Sequence, residues 1–449
     1  MDSWLTLLPP CLSILLAITT RQVYVAIFAG VMAGSILLSQ TVISGIADSF
    51  NVIADTFSSP SSVKSLIFIL IIGAIINVMQ QSGGVEALIH QLSQQRSIIR
   101  SKVSAQLATF GFGFLMCLEG VGSMMLVGIV GRPLFQKFKL SNTRLALVAN
   151  CTGAPLAWLV PFSGAGVFLT GLISTEVEKG TLAESPFSYV LNALPYQFYT
   201  IVILAMVPIL ALVQKGEGLA LDIQTDHKSL DSVSASSSSA KALYLLVPVI
   251  ILLTSIGIIA YVTGDISSAV YFSGFVALIG SGGYFWLNNV AVNKYIEWCI
   301  QGMKNMLPAV IVLTLAFSLS RVSGELGTGK YLASLFTGEI PSGFIPATIF
   351  VLCILISFST GSSGATVSIM TPIVVSLAVS AGVAVPLAIA AMVSGAVFGD
   401  QSSPISDSVI VASSAADCLP EKHFVTQLPY TLAVALLSLA LYLVVGLSV

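Results

Sequence analysis

Charge is what this chain most lacks. Among 449 residues there are 18 Lys or Arg and 20 Asp or Glu, or 8% charged residues, where soluble domains carry about 25%. That shortage excludes every soluble class. Histidine is scarcer still, with three in all (His90, His227 and His423), each expected in a loop or at a membrane edge. Six cysteines (Cys11, Cys117, Cys151, Cys299, Cys353 and Cys418) sit mostly in apolar runs without CxxC spacing. They are read as packing residues, which leaves no disulfide framework and no thiolate metal site. No Walker loop is present, so ATP does not drive the protein directly. No selectivity sequence of the potassium-channel kind occurs, and no basic patch suits a nucleic acid. No His or Lys accompanies the polar Ser–Asp stretches as the base of a hydrolase. The chain is read as no enzyme, with no resident cofactor.

What is abundant is apolar length. Residues of hydrophobic type make up 56% of the chain, in runs too long for the roughly ten-residue strands of a membrane barrel. They fall near 5–20, 22–39, 64–81, 103–131, 145–175 and 189–213, then near 241–262, 267–287, 302–320, 343–371, 385–415 and 425–448. The first run has no small-residue cleavage site after it and is read as a retained span. Between the two sets lies the Ser-rich stretch 214–241. The expected domains are therefore a first repeat over 1–213, a polar cytoplasmic linker over 214–241 and a second repeat over 242–449.

Two elements in each half exceed the about 20 residues of a straight crossing. Segment 103–131 has Arg96, Arg100 and Lys102 before it and Arg132, Lys137, Lys139 and Arg144 after it. Basic residues stay cytoplasmic, so this element enters and leaves by one face, as a re-entrant hairpin with its tip in CLEGVGS (117–123). Its counterpart, 343–371, carries SFSTGSSGAT (357–366) at the tip. The elements that follow are broken by TGAPLAWLVPFSG and FGDQSSPISD. The fold class is thus an all-α polytopic membrane protein of two inverted-topology repeats, each with five transmembrane helices, one of them broken, plus a re-entrant helical hairpin. With 92–102 inside, fourteen of the eighteen basic residues lie inside and four (Lys64, Lys179, Arg321 and Lys330) outside. Both termini then fall outside. The halves also align at Gly131-Arg132-Pro133 with Met370-Thr371-Pro372, and at Pro161-Phe162-Ser163 with Pro404-Ile405-Ser406.

This topology leaves three acids within hydrocarbon: Glu119, Asp400 and Asp407. Desolvated carboxylates without a fixed basic partner point to a mobile one, a cation or a proton. Helix breaks add free carbonyls and N–H groups. The expected cation or substrate site comprises Glu119, Ser359, Thr360, Ser362, Ser363, Asp400, Gln401, Ser402, Ser403, Ser406 and Asp407. Asn150, Thr152 and Ser163 are expected to form its pseudo-symmetric second half. Asp400, Ser403 and Asp407 are the Na+ candidates. Glu119 is read either as a cavity carboxylate or as a helix-end cap.

The stretch GAVFGDQSSPISDSVIVASSAADCLPEKHFVTQLPY (395–430) resembles the C-terminal signature of NhaC-type Na+/H+ antiporters, within the broader ion transporter superfamily. SGGVEALI (82–89), RSKVSAQLATFGFGFL (100–115) and the second hairpin tip resemble the same family. The resemblance implies a scaffold domain, a mobile transport domain and a site between two hairpins and two broken helices. The chain departs from the family pattern at Glu119-Gly120, where relatives commonly have two aspartates, and at Gln401, where they have a histidine. The expected function is cation-coupled secondary transport, Na+ against H+, by an elevator-like alternating-access cycle in a bacterial cytoplasmic membrane. The alternative is a Na+-coupled carrier or exchanger of a small organic solute, an amino acid or a monocarboxylate. Expected partners are the lipid bilayer, the transported Na+ or H+, such a solute in the second case, and a second copy of the chain as a candidate homodimer.

Overall fold

Inside a bilayer no water is present to satisfy the backbone, so a long apolar segment folds as a helix. The computed structural model describes residues 4–20, 22–39, 41–84, 87, 99–115, 120–213, 243–263, 266–328, 331 and 341–448. Among them there is no strand. Among the described residues nine helices are long and apolar enough to cross a membrane, or up to ten if a bent pair near Gln197 counts as one span.

The first half begins with α1 (Leu8–Thr20) and α2 (Val23–Leu38), which pack on each other, followed by the short α3 (Val42–Asp55) and the long α4 (Pro60–Gln81). Helices α5 (Lys102–Leu115) and α6 (Gly120–Lys137) pack together as the arms of the expected first hairpin. Gly120 and Gly122, expected in its turn, are helical, and the rest of the expected tip, 117–119, lies outside the described residues. The first broken helix has three pieces: α7 (Asn142–Thr152), α8 (Ala154–Leu159) and α9 (Gly164–Glu178). The half ends with α10 (Pro186–Ala193) and α11 (Phe198–Val213).

The second half opens with α12 (Leu243–Thr263), α13 (Ile266–Leu287) and α14 (Val292–Leu326). Its hairpin pairs α15 (Ile345–Thr360) with α16 (Ser363–Ser380). The chain turns at Gly361, whose φ of +69° suits only glycine without strain. A broken helix follows, α17 (Val385–Ser402) and α18 (Asp407–Ala416), and α19 (Pro420–Ser448) closes the chain.

Three departures from the sequence reading have simple causes. Helix α14 runs ten residues earlier than the apolar segment at 302–320, because its first turns carry Lys294 and Glu297 in a helix that outruns the hydrocarbon. Helix α3 holds Asp48 and Asn51, which keep its hydropathy below that of a span, although Ile43 and Phe50 are exposed on it. The segment read as 189–213 bends by 49° between Tyr196 and Phe198.

Burial separates centre from rim. Of the span in α17, 89% is buried, against 22% in α12, whose exposed Ile250, Ile258 and Val262 suit contact with lipid. Small residues allow the closest packing, as they do between helices that gain nothing from excluding water. A Cβ on Gly395 would stand 2.4 Å from Phe350 O, and one on Gly399 would stand 2.4 Å from Phe358 N, so this glycine pair seats α17 on α15. Likewise Gly73 and Gly302 bring α4 and α14 backbone to backbone.

Candidate functional site

A helix that stops inside the protein frees its last carbonyls and the first N–H groups of the next piece. Four such starts are capped or flanked by residues the sequence singles out. Ser163 caps α9, accepting from Gly166 N at 2.9 Å, and Ser406 caps α18, accepting from Ser408 N at 3.0 Å. The two aligned Pro-x-Ser triplets therefore hold the same structural position. Ser362 caps α16 by accepting from Ala365 N at 3.2 Å, and α6 starts at Gly120.

These starts surround a cavity of about 620 Å³. One wall comprises α6 (Gly120, Met124), α8 and α9 (Trp158, Gly164, Phe168), the second hairpin tip (Thr360–Ala365) and the second break (Asp400, Ile405, Asp407, Ser408). The other comprises Ile69 of α4, Met306–Val312 of α14 and Gln22–Tyr24 at the start of α2. In the register set by the Pro-x-Ser triplets, Ala157, Gly164 and Ala165 match Asp400, Asp407 and Ser408, and all six line the cavity. Of these matched pairs, the polar members are all in the second half.

Asp400 is its focus. The carboxylate is 7% exposed and accepts three hydroxyl donors: Ser363 to Oδ2 at 2.7 Å, and Ser406 and Ser408 to Oδ1 at 2.5 and 2.8 Å. Charge-assisted bonds of this kind offset much of the cost of burying the group. Trp158 Nε1 donates to Ser363 Oγ at 3.2 Å and ties the first broken helix to the same cluster. Sequence reasoning missed both Ser408 and Trp158. Ser408, two residues past the Ser406 cap, is on the first turn of α18 and was legible in principle.

The other expected residues divide. Thr360, Ser362, Ser363, Asp400 and Asp407 line the cavity. Of the expected Na+ set, Asp400 and Asp407 line the same cavity, Asp407 exposed to it, and Ser403 does not. Ser403 is fully buried and accepts from Ile405 N at 3.4 Å, bracing the break itself. Ser402 is buried with its hydroxyl unpartnered, and Ser359 returns its hydroxyl to Leu355 O. Thr152 bonds back to Val148 O within α7. Ser163 is fully buried and stands off the cavity, capping α9 through Gly166 N. Glu119 lies outside the described residues.

Asn150 and Gln401 also stand off the cavity, in a second polar layer behind the break. Gln401 O, a carbonyl freed by the end of α17, accepts from Asn150 Nδ2 at 3.3 Å and from Gln427 Nε2 at 2.5 Å. The Gln401 side chain accepts from Tyr199 OH at 2.8 Å and donates to Cys151 Sγ at 3.2 Å. His423, expected at a membrane edge, is fully buried beside Asn150. The first break is capped in parallel, with Gln197 Nε2 donating to Trp158 O at 3.3 Å. The sequence reading named Asn150 and Gln401; Gln197, at the bend before α11, and Gln427, on α19, carry no signal in the sequence.

A second buried acid, in addition to Asp400, was not expected from the topology. Glu176, 2% exposed at the end of α9, pairs with Lys179 at 2.9 Å and accepts from Ser320 of α14. Burial pushes the Lys179 ammonium below its usual range, while Glu176 opposes that shift. On the other face Arg132 of α6 donates to Ala415 O and Ser414 O, both at 2.7 Å, capping the end of α18. Among the described residues no group of three His, Cys, Asp or Glu could hold a metal ion.

Apolar helices, interrupted at a buried carboxylate that faces a cavity, define a multi-pass membrane transport protein. Its fold matches that of the YdaH transporter of Alcanivorax borkumensis, with a TM-score of 0.62 at 15% identity, over 89% of this chain and 88% of that one. The chain belongs to the Na+/H+ antiporter family, whose model matches residues 173–447. An uncharacterized protein of Haemophilus influenzae is 29% identical over 98% of this chain and 90% of its own length. The malate-2H+/Na+-lactate antiporter of Bacillus subtilis is 29% identical over 33% of this chain and 31% of its own length.

Proposed function

We propose that this protein exchanges Na+ for H+ by alternating access, with Asp400 at the centre of its cation site. The observation that carries this reading is the buried carboxylate with three hydroxyls, from hairpin tip and helix break, at the wall of a cavity. Carboxylate and hydroxyl oxygens are hard ligands suited to a small cation. Ser363 and Ser408 are the hydroxyls best disposed to join Asp400, because both also line the cavity. The exposed Asp407 adds negative charge at the approach.

The repeat plan accounts for the shape of the site. Residues 1–213 and 242–449 form the two repeats, joined by the linker 214–241, and the second is inverted relative to the first. Equal element order, paired Pro-x-Ser caps and matched lining residues support this. So does reciprocal packing: α6 of the first hairpin lies on α18, and α16 of the second lies on α9. The excess of basic residues assigns the 92–102 side to the cytoplasm and both termini to the outside of a bacterial cytoplasmic membrane. Hairpins and broken helices form the moving body, and α2, α4 and α14 form the wall it moves against, since both sets line the cavity and the polar Asp400 cluster belongs to the first. That is an elevator-like cycle.

One observation favours a second reading. Trp158, Phe168, Met124 and Met306 give the cavity an apolar lining and a volume beyond the needs of a bare ion. A Na+-coupled carrier of a small organic solute would use that space. Radiolabelled Na+ uptake into proteoliposomes tests the primary reading: uptake saturates and rises with an outward-directed proton gradient. Uptake indifferent to protons but stimulated by lactate or an amino acid added outside with the Na+ would establish the second reading instead. Non-saturating flux would exclude both.

A further inference from the structure

The Asp400 cluster uses only one of the two carboxylates on the cavity wall. Asp407, at the first position of α18, is exposed to the same space. It has no hydrogen-bond or salt-bridge partner among the described residues. The two acids stand in settings that suit different cations.

The Ser363, Ser406 and Ser408 hydroxyls all bond Asp400, and none of them bonds Asp407. A small hard cation needs such a shell of oxygens and finds it at Asp400. Around the rest of the cavity the lining is mostly apolar. Trp158 and Phe168 line it with their rings edge to face at 6.5 Å, and Met124 and Met306 line it from α6 and α14. No Lys, Arg or His among the described residues lines it. Its side chains thus supply two negative charges and no positive one. Na+ at Asp400 answers the first. The second is left for a cation that needs few hard ligands and gains from apolar contact.

We propose that Asp407 binds the ammonium of an organic solute, in a second subsite that takes a primary aliphatic amine. The ammonium pairs with the Asp407 carboxylate, and the carbon chain lies against the aromatic and methionine wall. This goes beyond Na+/H+ exchange. It rests on the solute-carrier reading of the same cavity, and it makes the solute an amine rather than a monocarboxylate.

Charge and shape both favour that class. A free monocarboxylate would enter a space that already has two carboxylates, and like charge is how a site rejects a wrong ligand. The helix ends nearby are positive only in part, and serines cap α9, α16 and α18. An ammonium is attracted by the carboxylate and by the faces of aromatic rings. The volume of about 620 Å³ is in the range of sites for small organic molecules, and an inorganic ion alone would leave the apolar wall unused.

The test is calorimetric binding to the purified full chain at saturating Na+, so that the Asp400 cluster is filled. At about pH 7.5 an alkylamine is fully charged, because its pKa is close to the roughly 10.4 of a lysine side chain. Four compounds share one carbon chain: n-butylammonium, neutral n-butanol, butyrate, and norvaline, which is butylammonium with a carboxylate added. Butylammonium should bind saturably, and the other three at least about tenfold more weakly, as expected when a bond between charged groups is lost or opposed. Asp407→Asn should weaken butylammonium by a similar factor of about ten or more, while Asp400→Asn should retain it within about threefold. In the wild type, affinity should rise from methylammonium to butylammonium by up to about fourfold for each added CH₂. That series needs no variant to fold.

Norvaline or butyrate bound as tightly as butylammonium would overturn the amine and leave the cavity to a solute of another charge. Butylammonium that Na+ displaces, and that Asp400→Asn loses while Asp407→Asn retains it, would overturn the subsite and place the amine on the Na+ site. A methyl-to-butyl series without any gain would overturn the apolar wall as its partner. Wild-type protein that binds Na+ but none of the four organic compounds would overturn the subsite and the solute-carrier reading together.

Discussion

The Ser363 hydroxyl donates to Asp400 Oδ2 at 2.7 Å, joining the tip of a helical hairpin to the end of a broken helix. Neither element could hold the carboxylate alone. The hairpin offers hydroxyls without charge, and the break offers charge that burial makes costly. Their meeting creates a site that senses the relative position of two elements. A carrier needs this property if binding is to govern movement.

The two aspartates should separate in function. Asp400→Asn removes the buried charge and places an amide among three hydroxyls; Na+-coupled flux should be lost while the protein remains folded and inserted. Asp407→Asn removes only an exposed charge at the approach, so apparent Na+ affinity should weaken by about threefold to tenfold with the maximal rate kept. Equal loss in both variants would show that Asp407 is a direct ligand.

Ser406 and Ser408 both bond Asp400 Oδ1, but only Ser406 also caps α18. Ser406→Ala should therefore lose about 1 kcal/mol of stability that Ser408→Ala retains. Both should weaken Na+ binding, by roughly tenfold or more for a lost bond to a charged group. Thermal unfolding and Na+ titration of the two variants side by side separate capping from ligation.

Trp158→Phe keeps an aromatic wall but removes the indole N–H that Ser363 accepts. The expected result is a loss of affinity severalfold smaller than that of Ser363→Ala, because Ser363 can still donate to Asp400. An effect as large as that of Asp400→Asn would mean that the ring itself, rather than its N–H, shapes the site.

Glu176 and Lys179 join the end of α9 to Ser320 of α14, a link between the moving wall and the fixed one in the proposed cycle. Lys179→Met leaves Glu176 buried and unpaired, at a cost of about 3–5 kcal/mol, and Glu176→Gln in addition should restore most of it. Thermal unfolding of the single and double variants measures this; equal losses in both would show that the pair is not coupled.

The sequence reading recovered whatever depends on local pattern. Run lengths located most of the spans, and Pro-x-Ser marked both helix breaks. The polar stretch 397–409 is tolerated because Asp400 faces hydroxyls and a cavity instead of lipid. Distance in sequence hid the rest. Asn150, Gln401, Gln427 and His423 come from three different helices, and only packing brings them together. Hydropathy likewise grouped Asp407 with Asp400, although a helix turn leaves one exposed and the other enclosed.

The central claim is exchange of Na+ for H+ through Asp400. It is tested most directly by a Na+ pulse on proteoliposomes with an acid-loaded lumen and a trapped pH dye. Wild-type protein should alkalinise the lumen with a saturable dependence on external Na+, and Asp400→Asn vesicles should show no response to Na+. A lumen pH indifferent to Na+ with wild-type protein, or an undiminished response with Asp400→Asn, would contradict it.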